Sequence, residues 1–260
     1  MLVVGSLRWY TLGATMLSAL LFDFGGTLDG PAHWLDRFLA QYRRAGIDIS
    51  RDELDPAFEH ATRTGYRAAK AIQRFGLMEL VRFLVGNQLE FLARVAPPEI
   101  RARFESLDSK GKHRVTDKIA SDFAAETREG LKRSKSVLAQ LKPRFQIGVV
   151  SNFYGNLDRI IQEAGMKQFV STVVDSSRVG IFKPQPAIFD AALRTLRISP
   201  EAAAMVGDSV TKDCSPAHSL GIRTIWYRPG PSAEKLEGKL PDEVVDLTIA
   251  SLEELTTLAL

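Results

Sequence analysis

A doubly wound parallel α/β sheet interrupted by an all-helical insert is the fold class that this 260-residue sequence predicts. Three observations predict it. Short, β-branched, almost wholly apolar runs recur along the chain, the pattern of strands buried on both faces. In the second half of the chain these runs alternate with helical stretches, as parallel strands joined by crossovers require. Between the first run and the others, residues 31–130 carry almost no strand signal and read as a series of amphipathic helices. The expected organisation is therefore a sheet domain formed by residues 1–30 and 131–260, with a helical domain over residues 31–130.

Taken in order, the first strand is Ala19–Phe22, delivering Asp23 to the turn GGT and then Asp29. The insert follows, with helices expected over His33–Ala45, Asp52–Phe75, Leu77–Val95, Pro98–Leu107 and Thr116–Arg128. Pro97–Pro98 and DSKGKHR mark the turns between them. The sheet resumes with FQIGVVSN, then a helix at Leu157–Gly165, the strand FVSTVVDSS and a helix at Pro186–Leu196. AAAMVGDS, a short helix near Asp213–Leu220 and IRTIWY complete it. Sheets of this class carry ligands at the carboxyl ends of their strands. Here those ends are Asp23, Ser151 with Asn152, Asp175 and Asp208.

Composition narrows the function. The 34 basic residues nearly balance 31 acidic ones, a net charge of +3, and no dense basic patch of the kind nucleic acid requires is evident. A single cysteine, Cys214, excludes an internal disulfide and suits a reducing, cytoplasmic setting. It reads as a small buried residue at a helix start. Residues 1–22 loosely resemble a signal peptide, but Thr11, Gly13, Thr15 and Ser18 interrupt the apolar run, and cleavage there would destroy the Asp23 loop. Residues 1–15, with Trp9 and Tyr10, read as an extension, with Met16 the better start.

Four pieces at strand ends carry chemistry: Asp23-Phe-Gly-Gly-Thr27, Ser151-Asn152, Lys183-Pro184 and Gly207-Asp208-Ser-Val-Thr-Lys-Asp213. Each alone is a common capping or turn pattern; together, in this order, they point to a phosphoryl-transfer site. Asp23 and Asp208 are hard oxygen ligands suited to Mg²⁺. Thr27, Ser151 and Asn152 offer donors to phosphate oxygens, and Lys183 brings a positive charge. With the phosphate so neutralised, Asp23 can attack phosphorus and form an aspartyl phosphate.

FDFGGTLD, GVVSN, VGIFKPQPAIFDAALRTL and AMVGDSVTKDCSPAHSLGIRTIWY together resemble the haloacid dehalogenase (HAD) superfamily, in the branch whose helical cap follows the first motif. The resemblance covers residues 16–29 and about 131–255. It implies Asp23 as nucleophile, with the Gly25 carbonyl and the Asp208 carboxylate joining it on Mg²⁺. Thr27, Ser151 and Lys183 would bind phosphate, and Asp213 would support Lys183 or the metal's outer shell. The expected partner is a small anionic phosphorylated metabolite, with neither nucleic acid nor membrane, and the protein a monomer or homodimer.

Position 25 departs from the pattern, because family phosphatases usually carry there a second Asp that protonates the leaving alcohol. General acid–base help contributes roughly 10²–10⁴-fold, and Gly25 cannot supply it. Dehalogenases replace this Asp with an aromatic residue and lose the metal Asp; Asp208 argues against that chemistry here. Phosphonoacetaldehyde hydrolases use a cap lysine, for which Lys70 is the candidate. The readings are then a Mg²⁺-dependent phosphohydrolase with an atypical or absent acid/base, a degenerate phosphate- and metal-binding protein, and a phosphonate hydrolase. Asp29 and His33 could swing toward the site, although a hinge role and a helix-start role also fit them.

In the insert, Arg63, Arg67, Lys70 and Arg74 fall on one helical face. The sequence expects this face either to look down on the substrate or to be a solvated surface. The apolar stretch Leu77–Val95 suits a pocket lining or a dimer interface.

Overall fold

The computed structural model describes residues 16–105, 107–230 and 241–258; the extension 1–15, with Trp9 and Tyr10, lies outside them. Six parallel strands form one sheet: β1 (Ala19–Phe22), β2 (Gln146–Ser151), β3 (Thr172–Asp175), β4 (Ala203–Gly207), β5 (Arg223–Tyr227) and β6 (Leu247–Ile249). Their spatial order is β3-β2-β1-β4-β5-β6. The chain winds outward from β1 through β2 and β3, then returns to β4 on the other side of β1. The strand order therefore reverses between β1 and β4, which opens a crevice at their carboxyl ends.

All four residues of β1 are buried, and their alternation divides the core. Ala19 and Leu21 pack with Val150, Val174 and the helix Ala187–Leu196, while Leu20 and Phe22 join a second cluster continuous with the helical insert. Close packing extends to Gly148 on β2, where a Cβ would lie 2.6 Å from Leu21 Cδ2. The three residues of β6 were not anticipated; so short a run shows no alternation to read.

The insert contains α1 (Trp34–Arg44), α2 (Arg51–Arg67), α3 (Ala69–Ile72), α4 (Leu77–Arg94), α5 (Pro98–Glu105) and α6 (Ser109–Leu141). A capping box starts α2: Ser50 Oγ accepts from Glu53 N, and Glu53 Oε2 accepts from Ser50 N at 2.8 Å. The helix expected to run from Asp52 to Phe75 breaks at Ala68. DSKGKHR, expected as a turn, is instead the start of α6, because Asp108 accepts from Gly111 N at 2.6 Å and caps a 33-residue helix.

The anticipated boundary at residue 130 falls inside α6. There the helix lies against the loop after β1: a Cβ on Gly130 would stand 2.3 Å from the Asp29 carbonyl oxygen, and Ser134 Oγ donates to Leu28 O at 2.7 Å. The apolar residues of α4 are spent inside the insert, where Leu80, Val81, Leu84, Val85, Leu89 and Leu92 are buried between α2 and α6.

Candidate active site

The loop Phe24–Leu28 is shaped by two glycines with different work. Gly26 has φ of +83°, a conformation costly for other residues, and a Cβ there would lie 2.4 Å from Asp208 Oδ2. Gly25 has φ −74° and ψ 119°, open to any residue. Among the described residues its Cβ would meet only the Trp34 indole within 4 Å, at 3.5 Å from Nε1.

Asp23 extends the β1 pairing by donating its N–H to Val206 O at 2.9 Å, which fixes it between the two central strands. The Lys183 ammonium lies 2.6 Å from Asp23 Oδ1 and 2.6 Å from Asp213 Oδ1, and all three residues are buried. The Asn152 side chain holds the Lys183 backbone from both sides, donating to its carbonyl at 3.0 Å and accepting from its N–H at 2.8 Å. Gly207 makes room for Asp213, since a Cβ there would stand 2.3 Å from Asp213 Oδ2.

The electrostatics follow from crowding. Asp23, Asp208 and Asp213 offer carboxylate oxygens all within 4.8 Å of one another, against the single ammonium of Lys183. Burial, then the neighbouring Asp23 and Asp213, hold the Asp208 carboxyl well above the usual carboxylate range. Asp213 is pushed up to about 6 by burial, with Lys183 opposing. Burial works against the charge of Lys183, but Asp213 and Asp23 overcome it and raise its pKa. When all three carboxylates are ionised, the group lacks two positive charges. A divalent cation with oxygen-seeking chemistry matches that deficit and that donor set.

A cleft of about 740 Å³ opens over this group, lined by Asp23, Gly25, Ser151, Asn152, Lys183, Asp208 and Asp213 below, and by His33, Trp34, Phe58, Thr62 and Tyr66 above. Residues 17–221 match the haloacid dehalogenase-like hydrolase family.

The chain belongs to that family.

A phosphoserine phosphatase of Thermus thermophilus is 32% identical over 195 residues, covering 73% of this chain and 76% of that one. A glyceraldehyde 3-phosphate phosphatase of Pyrococcus furiosus is 32% identical over 124 residues, 46% of this chain and 50% of that protein. Among solved structures, a dehalogenase with an intermediate complex superposes with a TM-score of 0.59 at 17% identity, covering 93% of this chain and 96% of that one. The HAD hydrolase YfnB of Bacillus subtilis, bound to magnesium, superposes with a TM-score of 0.53 at 18% identity over 94% and 98% of the two chains. These two likenesses describe the fold.

In this HAD-like hydrolase the expected motif residues converge on the crevice, with instructive exceptions. Thr27 is buried in the loop after Asp23, and its hydroxyl has no partner among the described residues. Asp175 at the end of β3 does not line the cleft. It accepts from the backbone N–H groups of Gly155, Leu157 and Ser177, and so fixes the loop that follows Ser151 and Asn152. Asp29 is fully engaged: Gly26 N donates to it at 2.8 Å, Trp34 Nε1 at 2.6 Å and Arg37 Nη1 at 2.8 Å. Burial raises its pKa, with Arg37 pulling the other way. His33 caps α1 by accepting from Leu35 N at 3.3 Å, while desolvation and then Lys212 lower its imidazole pKa.

Arg63, Arg67 and Lys70 lie outside the cleft. All three are exposed, as is Arg74, and Arg63 pairs with Glu59 at 3.0 Å. The face of α2 that looks into the cleft is Phe58, Thr62 and Tyr66, at i, i+4 and i+8, turned by one residue from the basic stripe. Charge drew attention to the wrong side of this helix; a mixed aromatic stripe on a polar helix was the available signal. Among the described residues, no helix is long and apolar enough to cross a membrane.

Proposed function

We propose that this chain hydrolyses a small phosphorylated compound through a covalent phosphoryl group on Asp23. The observation that carries the reading is the ion triad at the strand-order reversal, where one buried lysine is shared by Asp23 and Asp213 with Asp208 alongside. Lys183 orients the Asp23 carboxylate and adds positive charge where phosphoryl oxygens arrive. Asn152 positions Lys183, Asp213 anchors its ammonium, and Ser151 and Thr27 supply hydroxyls to the phosphoryl group. Asp23, the Gly25 carbonyl and Asp208 would hold Mg²⁺, which when bound neutralises phosphate charge.

Asp23 attacks phosphorus, the bond to the leaving oxygen breaks, and water then releases phosphate and restores the carboxylate. Nothing at position 25 protonates the leaving oxygen. The phosphonate alternative loses support, because Lys70 is exposed and outside the cleft. A reading without turnover keeps the same cradle and differs only in outcome.

Hydrolysis of acetyl phosphate tests the proposal, since its leaving acetate needs no proton. Mg²⁺-dependent release of phosphate, lost in Asp23→Ala, is expected. Mg²⁺ binding with no turnover on any phosphorylated compound would favour the binding protein.

A further inference from the structure

We infer that the substrate is an aryl phosphate, whose phenolic leaving group packs against an aromatic wall and departs without protonation. The inference rests on the proposed Asp23 chemistry and adds the class of compound it serves. Two independent features of the cleft converge on it.

The first is the wall itself. Phe58 and Tyr66 reach into the cleft from α2, Trp34 from α1, and Phe153 and Tyr154 from the loop after β2. These rings touch in series. Tyr66 stacks on Tyr154 with centroids 5.1 Å apart and an interplanar angle of 27°, and Trp34 stands edge-on to Phe153 at 5.7 Å. Phe58 and Tyr66 are partly buried and line the cleft, with His33 and Phe38 packed against Phe58 and with Tyr154 and Phe182 against Tyr66. Aromatic pairs of this geometry favour ring-bearing ligands beyond the area they bury. Arg63, Arg67 and Lys70 lie outside the cleft; the cations that line it, among the described residues, are Arg51, Lys183, Lys212 and Arg228.

The second is that position 25 offers no acid for the leaving oxygen, and that the groups nearest to it are already engaged. A side chain at position 25 would begin beside Trp34 Nε1, and that N–H is already given to Asp29 at 2.6 Å. Asp29 itself accepts three hydrogen bonds and is buried. His33 accepts from Leu35 N through Nδ1, so its neutral ring carries the proton on Nε2 and is a hydrogen-bond donor rather than a strong acid. An alkoxide leaving group, with a conjugate acid near the pKa of water, needs a proton in the transition state; a phenoxide, near pKa 10 as in tyrosine, does not. In the step proposed, an Asp23 oxygen bonds to phosphorus and the P–O(aryl) bond breaks. Its electron pair leaves on the phenoxide. Water then attacks phosphorus, its protons pass to phosphate and solvent, and Asp23 is regenerated.

The test compares acetyl phosphate, a set of substituted phenyl phosphates and an alkyl phosphate on the same preparation. The expected result is a steep fall of log kcat/KM with rising leaving-group pKa, alkyl turnover at least about 10²-fold below phenyl, and a flattened slope in Gly25→Asp. Phe58→Ala and Tyr66→Ala should each lower the aryl-to-acetyl ratio of kcat/KM about tenfold, a ratio that does not depend on how much of the variant is folded. Alkyl phosphates turned over as fast as phenyl phosphates, or a ratio unmoved by both substitutions, would overturn the inference while leaving acetyl phosphate hydrolysis and the Asp23 chemistry intact. Failure of acetyl phosphate hydrolysis would instead remove the proposal on which the inference stands, and the inference with it.

Discussion

The indole nitrogen of Trp34 lies 3.5 Å from the point where a side chain on Gly25 would begin, and it already donates to Asp29 at 2.6 Å. The site is thus closed behind Gly25 by a committed donor, while the Gly25 backbone itself is unstrained. Because φ −74° and ψ 119° suit any residue, Gly25→Asp should fold. Its carboxyl would supply the missing proton, raising kcat for alkyl phosphates by about 10–10²-fold, within the range for general acid catalysis. Steady-state kinetics on wild type and variant checks this; a folded Gly25→Asp with unchanged alkyl turnover would show that another group already serves as acid.

The Asp29–Arg37 pair ties the end of the Phe24–Leu28 loop to α1, and Arg37 also bonds Thr127 on α6. Both charges are at most 2% exposed. Arg37→Met leaves Asp29 without its counter-charge, and Asp29→Asn leaves Arg37 with only the more exposed Glu126, 3.2 Å from its Nε. Each should destabilise the fold by about 3–5 kcal/mol, and the double substitution should cost clearly less than the sum. Chemical denaturation of the three variants measures this, with additive losses as the contrary result.

The crowded carboxyls predict a metal-dependent pH response. Asp208 and Asp213 have raised pKa values in the folded chain, chiefly through burial, so the folded state holds protons that the unfolded chain has released. Stability from these groups is therefore present at acid pH and is lost as pH rises through about 6, the Asp213 value. His33, with its lowered pKa, acts in the opposite sense, so a variant comparison is needed. In chelator at pH 7, Asp208→Asn should melt above wild type, and the difference should shrink toward pH 4. Mg²⁺ should raise the wild-type Tm at pH 7 and much less at pH 4. A wild-type Tm insensitive to Mg²⁺ at pH 7 would contradict the proposed metal site.

Arg67 and Lys70 are exposed and outside the cleft. Arg67→Ala with Lys70→Ala should change KM for any turned-over phosphate by no more than about twofold, as surface substitutions do. A large rise in KM would mean that the insert moves to bring this face over the substrate.

What could be read in the sequence depended on distance along the chain. The strands β1 to β5 and the motif residues at their ends were legible because each is a local signature: an apolar run followed by a polar residue. The helix break at Ala68 was not legible, nor was the continuity of α6 through DSKGKHR, since capping by Asp108 competes there with turn-like composition. Least legible was what stands opposite Gly25. Trp34, Phe58 and Tyr66 meet the cleft only after the insert folds back over the sheet, and the aromatic stripe of α2 is a faint local signal beside the charge of its neighbouring face. The basic face of α2 was conspicuous for its charge, but a one-residue rotation about the helix separates it from the cleft.

The central claim is that Asp23 carries the phosphoryl group. The direct measurement is peptide mass spectrometry after acid quench of the protein turning over acetyl phosphate with Mg²⁺. The account predicts a phosphoryl adduct on the Asp23 peptide, absent without Mg²⁺ and absent in Asp23→Asn, together with loss of turnover in that variant. Turnover that persists in Asp23→Asn, with no adduct on the wild-type peptide, would contradict it.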